Sequence, residues 1–357
     1  MKGHTGDDAM SGLPKLARVP TDFGFTEEHG LLATSARRFL SQHWDRDALR
    51  GFVEGTLGEG EPVDTAPLEA AMAELGWFDL VVDEAAGGAG LGWLHAALLA
   101  EELGRVLCPV RWAGRALASA TLGVAGAEAT ITFDASDVVL DADRLTGTHP
   151  MVPGAMAARE LVAPVGDGWV VVSLDGAERR ARAGQDPTRA IADVTHDGAE
   201  ARGLDGVDTT SLAIRAWLLH ACEGVGAAET VLGMTRDYAA ERQQFGRPIG
   251  TFQAVSHPIV DTMIAIERAR NLAYATAAAL DAGSETARIE PMARMAKIAA
   301  DDALWDAACR GVQLHGGFGF TWECDVHFYL RRALSARSEL GSAARHREAV
   351  AARLLRG

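Results

Sequence analysis

The sequence predicts a mainly α-helical protein with a small β domain set between two helical regions. Three observations carry this reading. The N-terminal part alternates helix-period apolar stripes with Gly-rich turns. A central stretch breaks into short β-branched runs. The C-terminal part is Ala-rich and reads as long helices. The chain has 357 residues, room for two to three domains at roughly 150 residues each.

Residues 1–22 are polar and punctuated by Gly and Pro, and they are expected to form a flexible terminus. Residues 23–124 read as a helical domain. Thr26 is a plausible N-cap, followed by two acids and by apolar Leu31, Leu32, Ala36, Phe39 and Leu40. A Gly-rich gap, GFVEGTLGEGEP, follows. The helical segments LEAAMAELGWF and LHAALLAEELGRVL come next, with the turn VVDEAAGGAGLGW between them. Residues 125–207 read as a reduced, barrel-like antiparallel β domain. ATITF and DVVL are short strands. ELVAPV and WVVVSL flank a three-residue turn of Gly166, Asp167 and Gly168, and IADVTHDG is a further strand ending in a turn. The basic run at 178–182 reads as a solvated loop. Residues 208–357 read as a four-helix bundle, with breaks at 246–250, 282–284 and 316–319.

Composition excludes several classes. Lys and Arg number 34 against 49 Asp and Glu, a formal charge of −15, which disfavours nucleic acid because each phosphate contact wants a cation. No apolar run reaches the roughly 18 residues of a membrane span, and residues 1–10 carry no signal-peptide core. The four cysteines, Cys108, Cys222, Cys309 and Cys324, are widely spaced and form no CxxC pair. They read as reduced thiols of a cytoplasmic protein.

Three C-terminal segments hold chemistry-bearing residues. The first, YAAERQQFGRPIGTFQAVSH, places Arg242 and Gln253 across a Gly-Pro helix break. An Arg there can donate a forked pair of hydrogen bonds to a pyrophosphate, and a Gln can bond polar cofactor edges. The plain alternative is a helix end with Phe245 and Phe252 packing. The second, QLHGGFGF from Gln313, has paired glycines that let backbone approach an anionic ligand; it equally suits an inter-helix turn. It follows a helix and lacks GxGxxG, which argues against a Rossmann site. The third, TWECDVHFYLRRA, gathers Glu323, Cys324, Asp325 and His327, but on a helix the two acids point away from the Cys–His face. A helix start with a buried aromatic stripe is expected, and no metal.

RQQFGRPIGTFQAVSH followed by QLHGGFGF resembles the acyl-CoA dehydrogenase superfamily. LGWFDLVVDEAAGGAGLGWLHAALLAEELGRVL and the helical, β, four-helix-bundle order are similar too, over roughly residues 25–340. The resemblance implies FAD, an acyl-CoA substrate and α,β-desaturation. It implies that Arg242, Phe245, Gln253, Gln313, Gly316 and Gly317 reach the ADP half of a FAD held mainly by a neighbouring subunit.

The sequence departs from that family at the reacting centre. Most members place a Glu-Gly base after the bundle's third loop; here Glu339 stands one residue early, with Leu340 next. A smaller group places the base earlier, at a position filled here by Ala216, with Glu223 two turns further along as a structural acid. The flavin-cradling Thr-Glu-Pro loop is missing, and in LTGTHPMVPGA Met151 and Pro153 replace the Trp and Thr that hold the flavin ring. GFTWECDVHFYLRRA resembles the short subunits of actinobacterial α2β2 acyl-CoA dehydrogenases, which act on bulky thioesters such as steroid side chains. The chain is therefore expected to need a second, catalytic acyl-CoA dehydrogenase subunit, with electron-transfer flavoprotein or a similar acceptor downstream. Glu339 is the base candidate that the sequence itself offers. Two alternatives stand beside this: a self-sufficient homo-oligomer using Glu339, and a flavin-free structural subunit.

Overall fold

The computed structural model describes residues 23–134 and 137–356, so the expectation of a flexible segment at 1–22 lies outside the described residues. Helix α1 (Glu27–His43) starts at Thr26, whose side chain joins a capping box with His29. Ala36 and Leu40 are buried, whereas Leu31, expected in the apolar stripe, faces outward. The expected gap at 51–62 is mostly helix: α2 (Arg46–Leu57) buries Leu49, Phe52 and Val53 and ends at left-handed Gly58. Its apolar spacing outweighs the helix penalty of Gly51 and Gly55. Helices α3 (Ala66–Glu74), α4 (Trp93–Arg105) and α5 (Trp112–Leu122) complete this region.

Seven strands follow: β1 (Ala129–Ile131), β2 (Val138–Asp141), β3 (Arg144–Pro153), β4 (Glu160–Val165), β5 (Gly168–Ser173), β6 (Glu178–Ala181) and β7 (Ile191–Leu204). Their order is β1-β4-β5-β7-β3-β2, with β6 also paired to β7. The described strands form an open sheet and do not close into a barrel. Three expectations change here. β1 pairs parallel with β4, so the sheet is not wholly antiparallel. Val165 pairs with Gly168, which makes the hairpin turn two residues long, Gly166 and Asp167. The basic run forms β6, because Ala192–Thr195 of β7 are bonded to β3 on one side and offer it their other edge; β7 itself continues through the expected turn as a 14-residue strand.

Helices α6 (Thr209–Glu241), α7 (Gln253–Asp281), α8 (Thr286–His315), α9 (Val326–Ala336) and α10 (Ala343–Arg356) build the C-terminal bundle. One apolar core runs from Leu40, Phe78, Leu99 and Trp112 into Leu218, Val225, Leu304 and Phe328, so the N-terminal helices and the bundle share an interior. Leu145, Leu161, Val172 and Val194 make a separate β core. Close contact between α4 and α6 requires glycine: a Cβ at Gly104 or Gly226 would strike the Glu223 or Glu101 carbonyl. The Asp281 carboxylate at the end of α7 accepts from the Trp93 and Leu94 amides, capping α4.

Candidate functional site

Two loops at one end of the bundle carry the six residues expected at a cofactor. The first leaves α6 at Arg242, its C-cap. A miniature hairpin follows, β8 (Gln243–Gln244) against β9 (Arg247–Pro248). Its turn residues, Phe245 and Gly246, have φ 54° and 79°, both left-handed. That conformation is strained for Phe by roughly 1–2 kcal/mol, and it is held by the strand pair and by the Ile249 amide donating to the Arg242 carbonyl at 2.8 Å. The result presents Phe245 at 93% exposure. Arg247 lies over the Phe252 ring, 4.1 Å from its centroid. Gln253 is exposed at the first turn of α7, where unpaired N–H groups and the helix dipole favour an anion.

The second loop ends α8. Gln313 is exposed in the last turn, and Gly316 caps the helix at φ 62°, ψ −141°, a region open essentially to glycine alone. A Cβ at Gly316 or Gly317 would meet nothing within 4 Å, so the turn is an open cradle. The two loops meet through side chains. The His315 ring stacks on Tyr238 with centroids 4.2 Å apart, and the Phe318 ring lies 6.4 Å from each. The sequence reading found both loops but missed Tyr238 and His315. Each sits within four residues of a singled-out position, but nothing local pairs two rings 77 positions apart.

All six residues are exposed, and Arg242 makes no ion pair among the described residues. A free forked cation, an exposed amide, open glycines and a helix N-terminus suit the diphosphate and polar edges of a dinucleotide such as FAD.

Glu339 lies elsewhere, in the turn between α9 and α10. Its Oε1 accepts from Arg111 Nη2 at 2.7 Å; its Oε2 is 3.7 Å from Arg189 Nη2 and 3.9 Å from His220 Nδ1. Burial alone raises its carboxyl, but Arg111 and then His220 hold it below the ordinary value. The surrounding charges are paired as well. Arg189 reaches Glu223 at 2.9 Å, Arg332 reaches Asp186 at 2.6 Å, and Asp301 lies between His220 at 2.9 Å and Lys297 at 2.6 Å. Glu223 is thus an ion-paired acid, and Ala216 is buried in the core. Leu340, left-handed at φ 55°, is fixed by Trp217 Nε1 and His346 Nε2 bonding its carbonyl.

Beside the segment expected to stand where relatives carry a flavin-ring turn, Gly154, Met156, Arg111 and Arg115 line a cavity of about 130 Å³. Ligand pockets usually hold about 300–1,000 Å³. Met151 is exposed at a bulge between β3 and β7, where its amide donates to Asp193 Oδ1 at 3.1 Å. The Glu323–His327 cluster holds no metal-ligand group among the described residues. Asp325 instead pairs with Arg46 and Arg50, and Phe328 and Tyr329 form the expected buried stripe.

Fold and site together define a chain of helical, β and bundle regions with two glycine-containing loops exposed at one end of the bundle. The chain belongs to the acyl-CoA dehydrogenase family, whose members are FAD-dependent oxidoreductases: the acyl-CoA dehydrogenase N-terminal domain matches residues 26–130 and the C-terminal domain residues 202–355. It is 34% identical to the acyl-CoA dehydrogenase IpdE2 of Mycobacterium tuberculosis over 316 residues, which is 86% of this chain and 91% of that protein. Among solved structures, the Tcur3481–Tcur3483 steroid ACAD G363A variant superposes with a TM-score of 0.82 at 27% identity, covering 93% of this chain and 98% of that one. The ChsE4–ChsE5 complex from Mycobacterium tuberculosis gives 0.81 at 23% identity, covering 94% and 99%, a likeness of fold. No described helix is long and apolar enough to cross a membrane.

Proposed function

We propose that this chain is the cofactor-assisting subunit of a cytoplasmic α2β2 acyl-CoA dehydrogenase that desaturates a bulky, steroid-derived acyl-CoA. It lends Arg242, Phe245, Gln253, Gln313, Gly316 and Gly317 to the ADP half of FAD held mainly by a catalytic partner. The bundle of residues 208–357 carries this role, beside the helical region 23–124 and the β region 125–207. The flavin, when bound, supplies the hydride acceptor, and electron-transfer flavoprotein or a similar protein takes the electrons onward. Arg242 binds and orients the diphosphate; the open glycines let backbone amides approach it.

The observation that carries this reading is the outward presentation of all six residues at one end of the bundle, with Arg242 unpaired among the described residues. The small cavity beside Gly154 and the ion-paired state of Glu339 support a base and a flavin-ring site in the partner. Beyond Gln253, α7 exposes Val260, Met263 and Ile264 at helical spacing, an apolar face suited to a neighbouring subunit. Four unpaired cysteines fit a reducing compartment. The named partners of the similar steroid ACAD point the same way.

The direct test is Arg242→Ala in the chain purified with its partner. Loss of one charge-assisted pair corresponds to about 1.5–3 kcal/mol, so FAD binds at least about tenfold more weakly. Folding is unchanged, since Arg242 is exposed. Undiminished flavin affinity removes Arg242 from the site.

A further inference from the structure

We infer that Tyr238 and His315 are positioning residues for the cofactor: their stacked rings set the separation between the Arg242 loop and the turn at 313–317. This rests on the function proposed above. Neither ring needs to touch FAD. Each fixes the backbone of its own loop, and the 4.2 Å stack joins the two.

On one side, the Tyr238 carbonyl accepts the Arg242 amide at 2.8 Å, the last helical bond before the chain turns into the hairpin. A shift of Tyr238 therefore moves the root of the Arg242 side chain. On the other side, His315 is buried and its Nδ1–H donates to the Gly311 carbonyl at 2.8 Å, which fixes the ring plane and tautomer. The next residue is Gly316, whose φ and ψ only glycine tolerates. A cap that tight transmits ring displacement to Gly316 and Gly317. The rings are tilted by only 24°, and Phe318 lies beside the pair, 6.4 Å from each ring. Gly319 seals the arrangement: a Cβ there would press on the Val312 carbonyl, so the turn lies flat against α8.

A diphosphate bridging two loops binds well only when both are already in place; otherwise part of the interaction is spent on ordering them. The stack supplies that order. Arg242 and the glycine turn then act as one unit, and residues acting as a unit give non-additive effects.

The test uses the full chain purified with its partner subunit, freed of flavin and titrated with FAD while flavin fluorescence is followed. His315→Ala and Tyr238→Ala each weaken FAD binding about tenfold, and the double variant is no weaker than either one. His315→Phe and Tyr238→Phe, which keep a stacked ring, stay within about twofold. In the His315→Ala background, Arg242→Ala loses much of its own effect. Circular dichroism follows folding; if His315→Ala unfolds, the half-buried Tyr238→Ala carries the test. Wild-type FAD affinity in a folded alanine variant overturns the inference, as does a Phe variant as weak as its Ala counterpart, while the proposed function stands as long as Arg242→Ala still loses flavin. Unchanged affinity in Arg242→Ala alone overturns the proposed function instead.

Discussion

Arg111 Nη2 lies 2.7 Å from Glu339 Oε1, tying the loop before α5 to the turn between α9 and α10. Arg189, from the loop between β6 and β7, lies 3.7 Å from the other carboxylate oxygen. One side chain thus gathers cations from the N-terminal helices and the sheet onto the bundle. A base must have a lone pair free for its substrate. Here one oxygen is bonded to a guanidinium, and the other faces Arg189 and His220.

Glu339→Gln accordingly leaves desaturation by the complex within about twofold while lowering the stability of the chain by roughly 1–3 kcal/mol, because Arg111 loses its charged partner in a largely buried setting. Steady-state kinetics alongside urea unfolding measures both. A fall in kcat of several orders of magnitude, with FAD retained, makes Glu339 the base and restores the self-sufficient reading.

Gly317→Val separates packing from ligand approach. A Cβ there meets nothing within 4 Å in the chain itself, so the variant folds with a near-native melting temperature. In the complex the added side chain occupies the cradle and the flavin is lost. A yellow, fully active Gly317→Val complex identifies the turn as a helix connection only.

Acid sensitivity follows from a buried histidine pair in the sheet. His149 Nδ1 and His196 Nε2 are 3.1 Å apart, on adjacent strands β3 and β7. Burial, then His196, pushes His149 down to about 4; burial lowers His196 too. His149 is therefore neutral in the folded chain above about pH 4. Between about pH 6.5 and 4 the unfolded chain binds more protons than the folded one, so stability is fully present above 6.5 and declines as pH falls towards 4. For His149 the limit is roughly 3 kcal/mol. His149→Gln flattens the stability–pH profile over that window; an unaltered slope from pH 7 to 4.5 contradicts the assignment.

Much of the fold was legible because its signals are local. The Ala-rich helices and their Gly breaks set α6 to α8, and β-branched runs marked the strands. What escaped were outcomes of tertiary pairing. GFVEGTL looked like a gap until Phe52 and Val53 found a core, and residues 178–181 became a strand because Ala192–Thr195 of β7 offered them a free edge. The two loops at 242–253 and 313–317 could be singled out from residue type and spacing, since Arg, Gln and paired Gly carry their chemistry with them; their assignment to FAD came from the family resemblance. The Tyr238–His315 stack and the Arg111–Glu339 pair could not, as their partners lie 77 and 228 positions apart and nothing local announces them.

The central claim is that the chain serves a flavin held by another subunit. The most direct measurement is FAD content per chain, by absorbance and mass, for the full chain purified alone and purified with its native partner. The account predicts a flavin-poor chain alone and a tetramer carrying about one FAD per pair of unlike subunits together. A homo-oligomer that retains one FAD per chain and desaturates an acyl-CoA unaided contradicts it, and so does an active complex whose flavin content is indifferent to this subunit.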